Sequence, residues 1–213
     1  MMSFKTLIAG SLLVLGASTA HGLTITYGNP GDLTTAVTGA TTIDLSNGCD
    51  GAGGFASCSG DYAVVTGSVS GKYAKPYQLP SGQPYLSVPY QNSNGSALVT
   101  LGTTSDYFGL YWGSVDRYNT IAFLLEGEVV QSFTGLQILP PADGNQSSTD
   151  TNRYVNFDFG SGMFDAVQFI STSYAFESAN HAYRSIASVP EPATLGLLGL
   201  GLLGLGASRK RRG

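Results

Sequence analysis

Tyr154-Val155-Asn156-Phe157-Asp158-Phe159 is the stretch from which the fold can be read. Apolar and polar residues alternate along it. In an extended chain this puts Val155, Phe157 and Phe159 on one face and Tyr154, Asn156 and Asp158 on the other. No window of the surrounding sequence carries a 3.6-residue period over eleven positions. One face of this segment belongs in a core, and the secondary structure that puts it there is a strand.

Outward from this point, similar segments rich in Val, Ile, Thr, Tyr and Phe recur, separated by Gly, Asn, Asp and Pro. They are Leu23–Tyr27, Thr41–Leu45, Tyr62–Val69, Ala97–Leu101, Tyr107–Trp112, Asn119–Leu125, Glu128–Phe133, Arg153–Phe159, Phe164–Ser171 and His181–Ala187. Glu126-Gly127 stands at the expected turn of a hairpin between Leu125 and Glu128. Short strands in this number predict an all-β domain, an antiparallel β-sandwich of jelly-roll-like type. Pro76, Pro80, Pro84 and Pro89, interleaved with Tyr77, Tyr85 and Tyr90, predict a loop wrapped over the sandwich, without a central strand. A polyproline-like ligand is the alternative reading of that stretch.

The two ends of the chain follow other rules. Lys5, the apolar run Thr6 to Ala17 and the small residues Ser18-Thr19-Ala20 make a secretory signal peptide, residues 1–20. Cleavage after Ala20 or after Gly22 fits the pattern. At the other end, Val189-Pro190-Glu191-Pro192 leads into Ala193–Ala207, a Leu/Gly run, and then Arg209-Lys210-Arg211-Arg212. Fifteen residues of helix rise about 22 Å, and flanking residues with snorkelling cations bring this near the roughly 30 Å of a bilayer core. The cluster Arg209 to Arg212 stops transfer and stays cytoplasmic, which leaves the Pro-Glu-Pro motif outside the inner membrane. Residues 21–188 remain as the sandwich domain, and 189–213 as a membrane-spanning tail.

The domain carries five of the ten cations and thirteen of the fourteen acids, a formal charge of −8 with histidine neutral. Such a body lacks the basic patch that neutralises phosphates, so no nucleic-acid partner is expected. Cys49 and Cys58 are the only cysteines. In an oxidising compartment they read as a disulfide closing a glycine-rich loop of eight residues. Chain-entropy reasoning gives such a loop roughly 2–3 kcal/mol.

The inventory for chemistry is thin. A Ser-His-Asp hydrolase needs an imidazole base, and His181 is the only histidine within the domain, with no G-x-S-x-G or H-E-x-x-H motif beside it. Acidic pairs such as Asp158/Asp165, Asp106/Asp116 or Glu126/Glu128 always occur among thirteen acids and specify nothing. The expectation is a protein that is not an enzyme. Aromatic residues are densest at Tyr107-Phe108-Gly109-Leu110-Tyr111-Trp112. On a strand, Phe108, Leu110 and Trp112 share a face that reads as core, with ligand stacking by Trp112 as the alternative. Tyr107 and Tyr111, flanking Gly109, form a candidate exposed platform for a sugar ring. No cofactor is expected, although Glu177 and Asn180 are weak candidates for a structural calcium site.

Pro190-Glu191-Pro192, the Gly/Leu-rich segment and the basic end together resemble the PEP-CTERM sorting domain. The resemblance covers about the last 25 residues and implies recognition of Pro190, Glu191 and Pro192 by an exosortase, a membrane-embedded transpeptidase. It also implies a Gram-negative host that makes exopolysaccharide. A softer resemblance, to exosortase-dependent surface proteins, runs from Tyr107 to Ala187 through Tyr107–Asp116, Tyr118–Ile121, Ser132–Gly135 and Ala175–Asn180. It implies a shared sandwich and surface placement and brings no catalytic residues. In that family Asp often precedes the Asn of the last motif, where this chain has Ala179. The expected partners are therefore the secretion machinery and signal peptidase, the inner membrane before processing, the exosortase, and exopolysaccharide. The expected role is structural or adhesive at the cell surface or in the extracellular matrix. A carbohydrate-binding module is the alternative, and a secreted glycan hydrolase the third reading.

Overall fold

The computed structural model describes residues 22–186; the expected signal peptide and the sorting tail lie outside them. Within that span the elements are β1 (Thr24–Tyr27), β2 (Thr41–Thr42), β3 (Ser57–Gly60), β4 (Ala63–Val65), β5 (Tyr85–Val88) and β6 (Gly95–Gly113). They continue with β7 (Asn119–Leu125), β8 (Glu128–Thr134), α1 (Gly135–Ile138), β9 (Arg153–Asp158), β10 (Phe164–Ser171) and β11 (Phe176–Ser185). All strand pairings are antiparallel.

β6 organises the rest. Its first arm, Gly95–Thr100, pairs with β10 and β3, and its second arm, Tyr107–Gly113, with β9 and β11. The crossing between arms includes Gly102 at φ 69°. One layer then runs β3, β6 first arm, β10, β7, β8; the other runs β4, β5, β11, β6 second arm, β9, β1, with β2 continuing the β5 row along β11. Segments expected as two separate strands, Ala97–Leu101 and Tyr107–Trp112, are thus one strand that changes sheet. Thr103, Thr104 and Ser105, which join the two segments, continue the strand between them.

The alternation at Tyr154–Phe159 does what it predicts. Val155, Phe157 and Phe159 enter the core cluster with Phe108, Leu110 and Trp112 of β6 and Phe123, Phe164 and Phe169 of the facing layer. Rings from opposite layers touch: Phe123 and Phe157 have centroids 4.9 Å apart, Phe169 and Phe176 5.2 Å. Trp112 stacks on Phe176 at 4.2 Å and is fully buried, so it belongs to the core. The hairpin between β7 and β8 turns at Glu126 and Gly127, both at positive φ, as a two-residue turn of that type requires.

One local expectation needs correction, and two elements were not anticipated. β5 lies inside the proline-rich stretch, because Pro84 and Pro89 bound the four residues Tyr85–Val88 without interrupting their ladder to β4 and β11. β3 forms from Ser57-Cys58-Ser59-Gly60, a run without β propensity, and pairs along the first arm of β6. The single-turn helix α1 is held by a capping box between Thr134 and Gln137. Cys49 and Cys58 form the expected disulfide.

One row of the second layer runs Thr24, Asp158, Tyr107, Arg184 across β1, β9, β6 and β11. The described chain therefore enters and leaves at the same end of that sheet. Glu177 pairs with Gly113, six residues along β6 from Tyr107 and about 20 Å away at strand rise, at the opposite end.

Candidate functional site

The expected aromatic platform is absent. Tyr107, Tyr111 and Tyr154 do point away from the core, but all three are fully buried under covering segments. Tyr107 Oη meets Thr35 Oγ1 at 2.6 Å and donates to Asn156 Oδ1 at 2.7 Å. Tyr111 Oη donates to the carbonyl of Tyr77 at 2.6 Å, and Tyr154 Oη to that of Asn180 at 3.0 Å. The proline-rich loop supplies part of the cover, as expected: Pro76 and Leu79 are buried and Pro76 packs against Gly113. Desolvation raises the phenol pKa of all three residues, that of Tyr111 to about 12. The Tyr107 and Tyr111 hydroxyls fasten loops, and that of Tyr154 fastens β9 to β11.

The calcium candidates also separate. Asn180 accepts from Gln83 Nε2 at 2.6 Å and donates to Leu33 O at 2.8 Å, so its amide joins two loops. Glu177 accepts from the Ala74 amide at 2.8 Å and from Ser114 Oγ at 3.0 Å. A β-bulge between Ala179 and Ala182 divides the two residues. Among the described residues no group of three or more His, Cys, Asp or Glu side chains is placed to hold a metal.

Glu177 marks a different feature. It closes one side of a cleft of about 500 Å³ lined by the Ser68–Ala74 turn, Gln146, Ser173, Tyr174 and Ala175. The turn is a narrow finger: Val69 and Tyr73 exchange backbone hydrogen bonds, with Gly71 at φ 72° between them. Tyr73 leans on Tyr85 and Tyr90, and the Lys72 ammonium lies 3.6 Å from the Tyr90 ring centroid.

Three buried polar side chains hold the cleft's loops together. Asn152 Oδ1 accepts from the Tyr77 and Ser114 amides while Nδ2 donates to the carbonyls of Asn145 and Ser148, fixing the loop that carries Gln146. Asn119 Nδ2 donates to Ser171 Oγ and Ala175 O, fixing Ser173 and Tyr174. Glu177 ties the finger to β6 through Ala74 and Ser114. Tyr118 Oη adds a bond to the Tyr174 carbonyl at 2.8 Å. A buried polar network with its partners in place rigidifies what it joins.

Burial raises the Glu177 pKa to about 8 against the opposing pull of its two hydrogen bonds, and nearby Asp116 adds to the rise. The carboxyl is therefore uncharged over most of the neutral range. Burial also lifts Asp116, which faces Asp143. His181 lies in the core among Phe55, Phe108 and Phe169, bonded to Ser178, and burial drives its pKa down to about 3. It does not line the cleft.

Sequence reading missed Lys72, Tyr73, Ser114, Asn119, Asn152 and Tyr174. Their signal was faint: Val69-Ser70-Gly71-Lys72-Tyr73 is a turn flanked by matched residues, and it holds one of five cations in an acidic body.

The described body is thus an all-β antiparallel sandwich with its chain ends at one pole and a polar, aromatic-walled cleft at the other. Residues 188–212 match the family described as PEP-CTERM protein-sorting motif, so the chain carries that sorting signal directly after its folded body. The motif implies processing by an exosortase, and export with membrane-anchored sorting in a bacterium. No curated protein matches the chain significantly. Among solved structures, one described as "CpGH89CBM32-6 produced by Clostridium perfringens" is 14% identical over 59% of this chain and 94% of its own, with a TM-score of 0.30. Another, described under "The complexity of the Ruminococcus flavefaciens cellulosome reflects an expansion in glycan recognition", is 13% identical over 71% of this chain and 98% of its own, with a TM-score of 0.33. Likeness at that level says nothing of what this chain binds.

Proposed function

We propose that this is an exported, non-enzymatic β-sandwich protein held transiently at the inner membrane and cut near Pro190-Glu191-Pro192. It then passes to the cell surface or extracellular matrix of a Gram-negative bacterium, where its role is structural or adhesive. The observation that carries the reading is the order of parts. The sandwich closes at Ile186, whose amide bonds to Thr104 O, and the sorting motif begins within four residues. With β6 counted as two arms, the eight strands from β5 to β11 stand in the orders first-eighth-third-sixth and second-seventh-fourth-fifth, which supports a jelly-roll-like sandwich. The histidine of the described residues, buried away from the cleft, supports the non-enzymatic reading. The test is replacement of Pro190, Glu191 and Pro192 by Ala. The expected result is a full-length protein retained in the inner-membrane fraction; unchanged release of a shortened protein would refute it.

A second reading, glycan binding, is favoured by one observation: the cleft pairs tyrosine walls with hydroxyl and amide groups, the combination that suits a polyhydroxylated ligand.

A further inference from the structure

Four of the five cations in the body are already engaged. The Lys75 ammonium donates to Leu79 O, Arg117 to Pro141 O, Arg153 to Thr149 O and Gly28 O, and Arg184 pairs with Asp106 and Asp158. Of these five cations, Lys72 alone has no side-chain hydrogen bond to a protein oxygen; the residue lines the cleft and its ammonium rests on the Tyr90 ring beside it. The other lining side chains, Ser68, Ser70, Ser173, Gln146, Tyr73 and Tyr174, are neutral polar groups, and Glu177 is the one acid. That acid is uncharged near neutrality because it is buried. Lys72 is therefore the one cation that lines the cleft, on a body of formal charge −8. Asp116, near Glu177, and Asp143, which faces it, lie behind the Glu177 wall, while acids farther off are screened over about 8 Å at physiological salt.

We propose that this cleft binds a glycan carrying carboxylate sugars of the uronate type, with Lys72 pairing the carboxylate and Tyr73 and Tyr174 bounding the sugar ring. The proposal rests on the glycan-binding reading and adds the ligand's charge and the direction of approach. The cleft lies about 20 Å along the second layer from the pole where both ends of the described chain leave, so a tethered domain presents it away from the membrane. Polymer can be engaged before the tail is cut.

The test uses protein recovered from the surface of its host, its processed terminus checked first by mass, titrated calorimetrically with pentamers of galacturonate, glucuronate and mannuronate and with their carboxyl-reduced counterparts. At least one uronate should bind, and its reduced form at least fivefold more weakly. Lys72→Gln should weaken the uronate about fivefold and leave the reduced pentamer unchanged. Ser70→Trp or Gln146→Trp, which fill the mouth from exposed positions, should reduce binding at least tenfold. Thr100→Trp, on the outer face of the other layer, should not. No binding of any uronate up to millimolar concentration, equal binding of the reduced form, or equal loss with Thr100→Trp would overturn the proposal. A correctly processed protein that fails to bind sinks the cleft assignment while leaving the sorting account standing.

Discussion

The outer faces of the two layers are built by the same alternation and are covered by different means. On the layer of β11, β6 second arm and β9, the outward residues are Tyr107, Tyr111, Tyr154 and Asn156, and loops seal the tyrosines from water. On the layer of β6 first arm, β10 and β7, they are Leu98, Thr100, Ala122, Leu124, Ala166 and Gln168 in register; Ala122, Leu124 and Ala166 bury one another and the rest are half-buried, beside a shallow groove and, among the described residues, with no covering segment hydrogen-bonded across. A bulky outward residue can hold a loop because its hydroxyl reaches past the sheet to a carbonyl; a small one cannot. The large residues that look like a binding surface in sequence are therefore the ones that become interior. Function is left to the rim, where loops meet at the cleft.

Substitutions can break this contrast, and the sealed face should show the largest effects. Gly109 lies beneath the tyrosine hydroxyls, where a Cβ would collide with Tyr107 Oη and come within 2.7 Å of Tyr154 Oη. Gly109→Ala should cost about 2–3 kcal/mol by overpacking, measured as a lower urea midpoint at unchanged slope. Reducing Cys49–Cys58, which anchors the loop containing buried Phe55, should cost roughly 2–3 kcal/mol in the same assay. Tyr111→Phe leaves the Tyr77 carbonyl without its donor and should cost about 1 kcal/mol. Gln168→Ala on the open face should fall within about 0.5 kcal/mol of the parent. Equal costs for Tyr111→Phe and Gln168→Ala would show that both faces are equally covered.

Two buried groups, a carboxyl and an imidazole, sharpen the picture through pH. Glu177 has its pKa raised from 4.5 to about 8, so the folded form holds its proton where the unfolded chain has lost it. Its effect is a loss of stability as pH rises through that interval. His181 is lowered from 6.5 to about 3, so the unfolded chain gains a proton first and stability falls as pH drops through that range. The opposing slopes cancel between 4.5 and 6.5, where their combined contribution is flat. Thermal melts across pH should show Glu177→Gln removing the decline above 6.5. A parent with no decline above 6.5 would mean that Glu177 is ionised in the fold, and a decline that persists in the variant would assign it to other groups.

How much was legible follows from the same physics. The β7 and β10 boundaries, the Glu126-Gly127 turn, the core face of β9 and the disulfide all rest on local rules, and the structure matches them. β3 and β5 were not legible, because Ser-Cys-Ser-Gly becomes a strand only through its partner Thr100-Val99-Leu98-Ala97, and Tyr85–Val88 only through β11 and β4. Burial of Tyr107 and Tyr111 depends on residues 72 and 34 positions away. The cleft is assembled from separated stretches joined by Asn119, Asn152 and Glu177, and no spacing in the sequence announces that meeting.

The central claim is that a folded sandwich is delivered by a tail that does not stay. The most direct test is the intact mass and C-terminal residue of the mature protein taken from the cell surface. The account predicts a chain beginning near His21 and ending near Glu191, without the Leu/Gly segment or the terminal arginines. A surface form that still ends at Gly213 would contradict it.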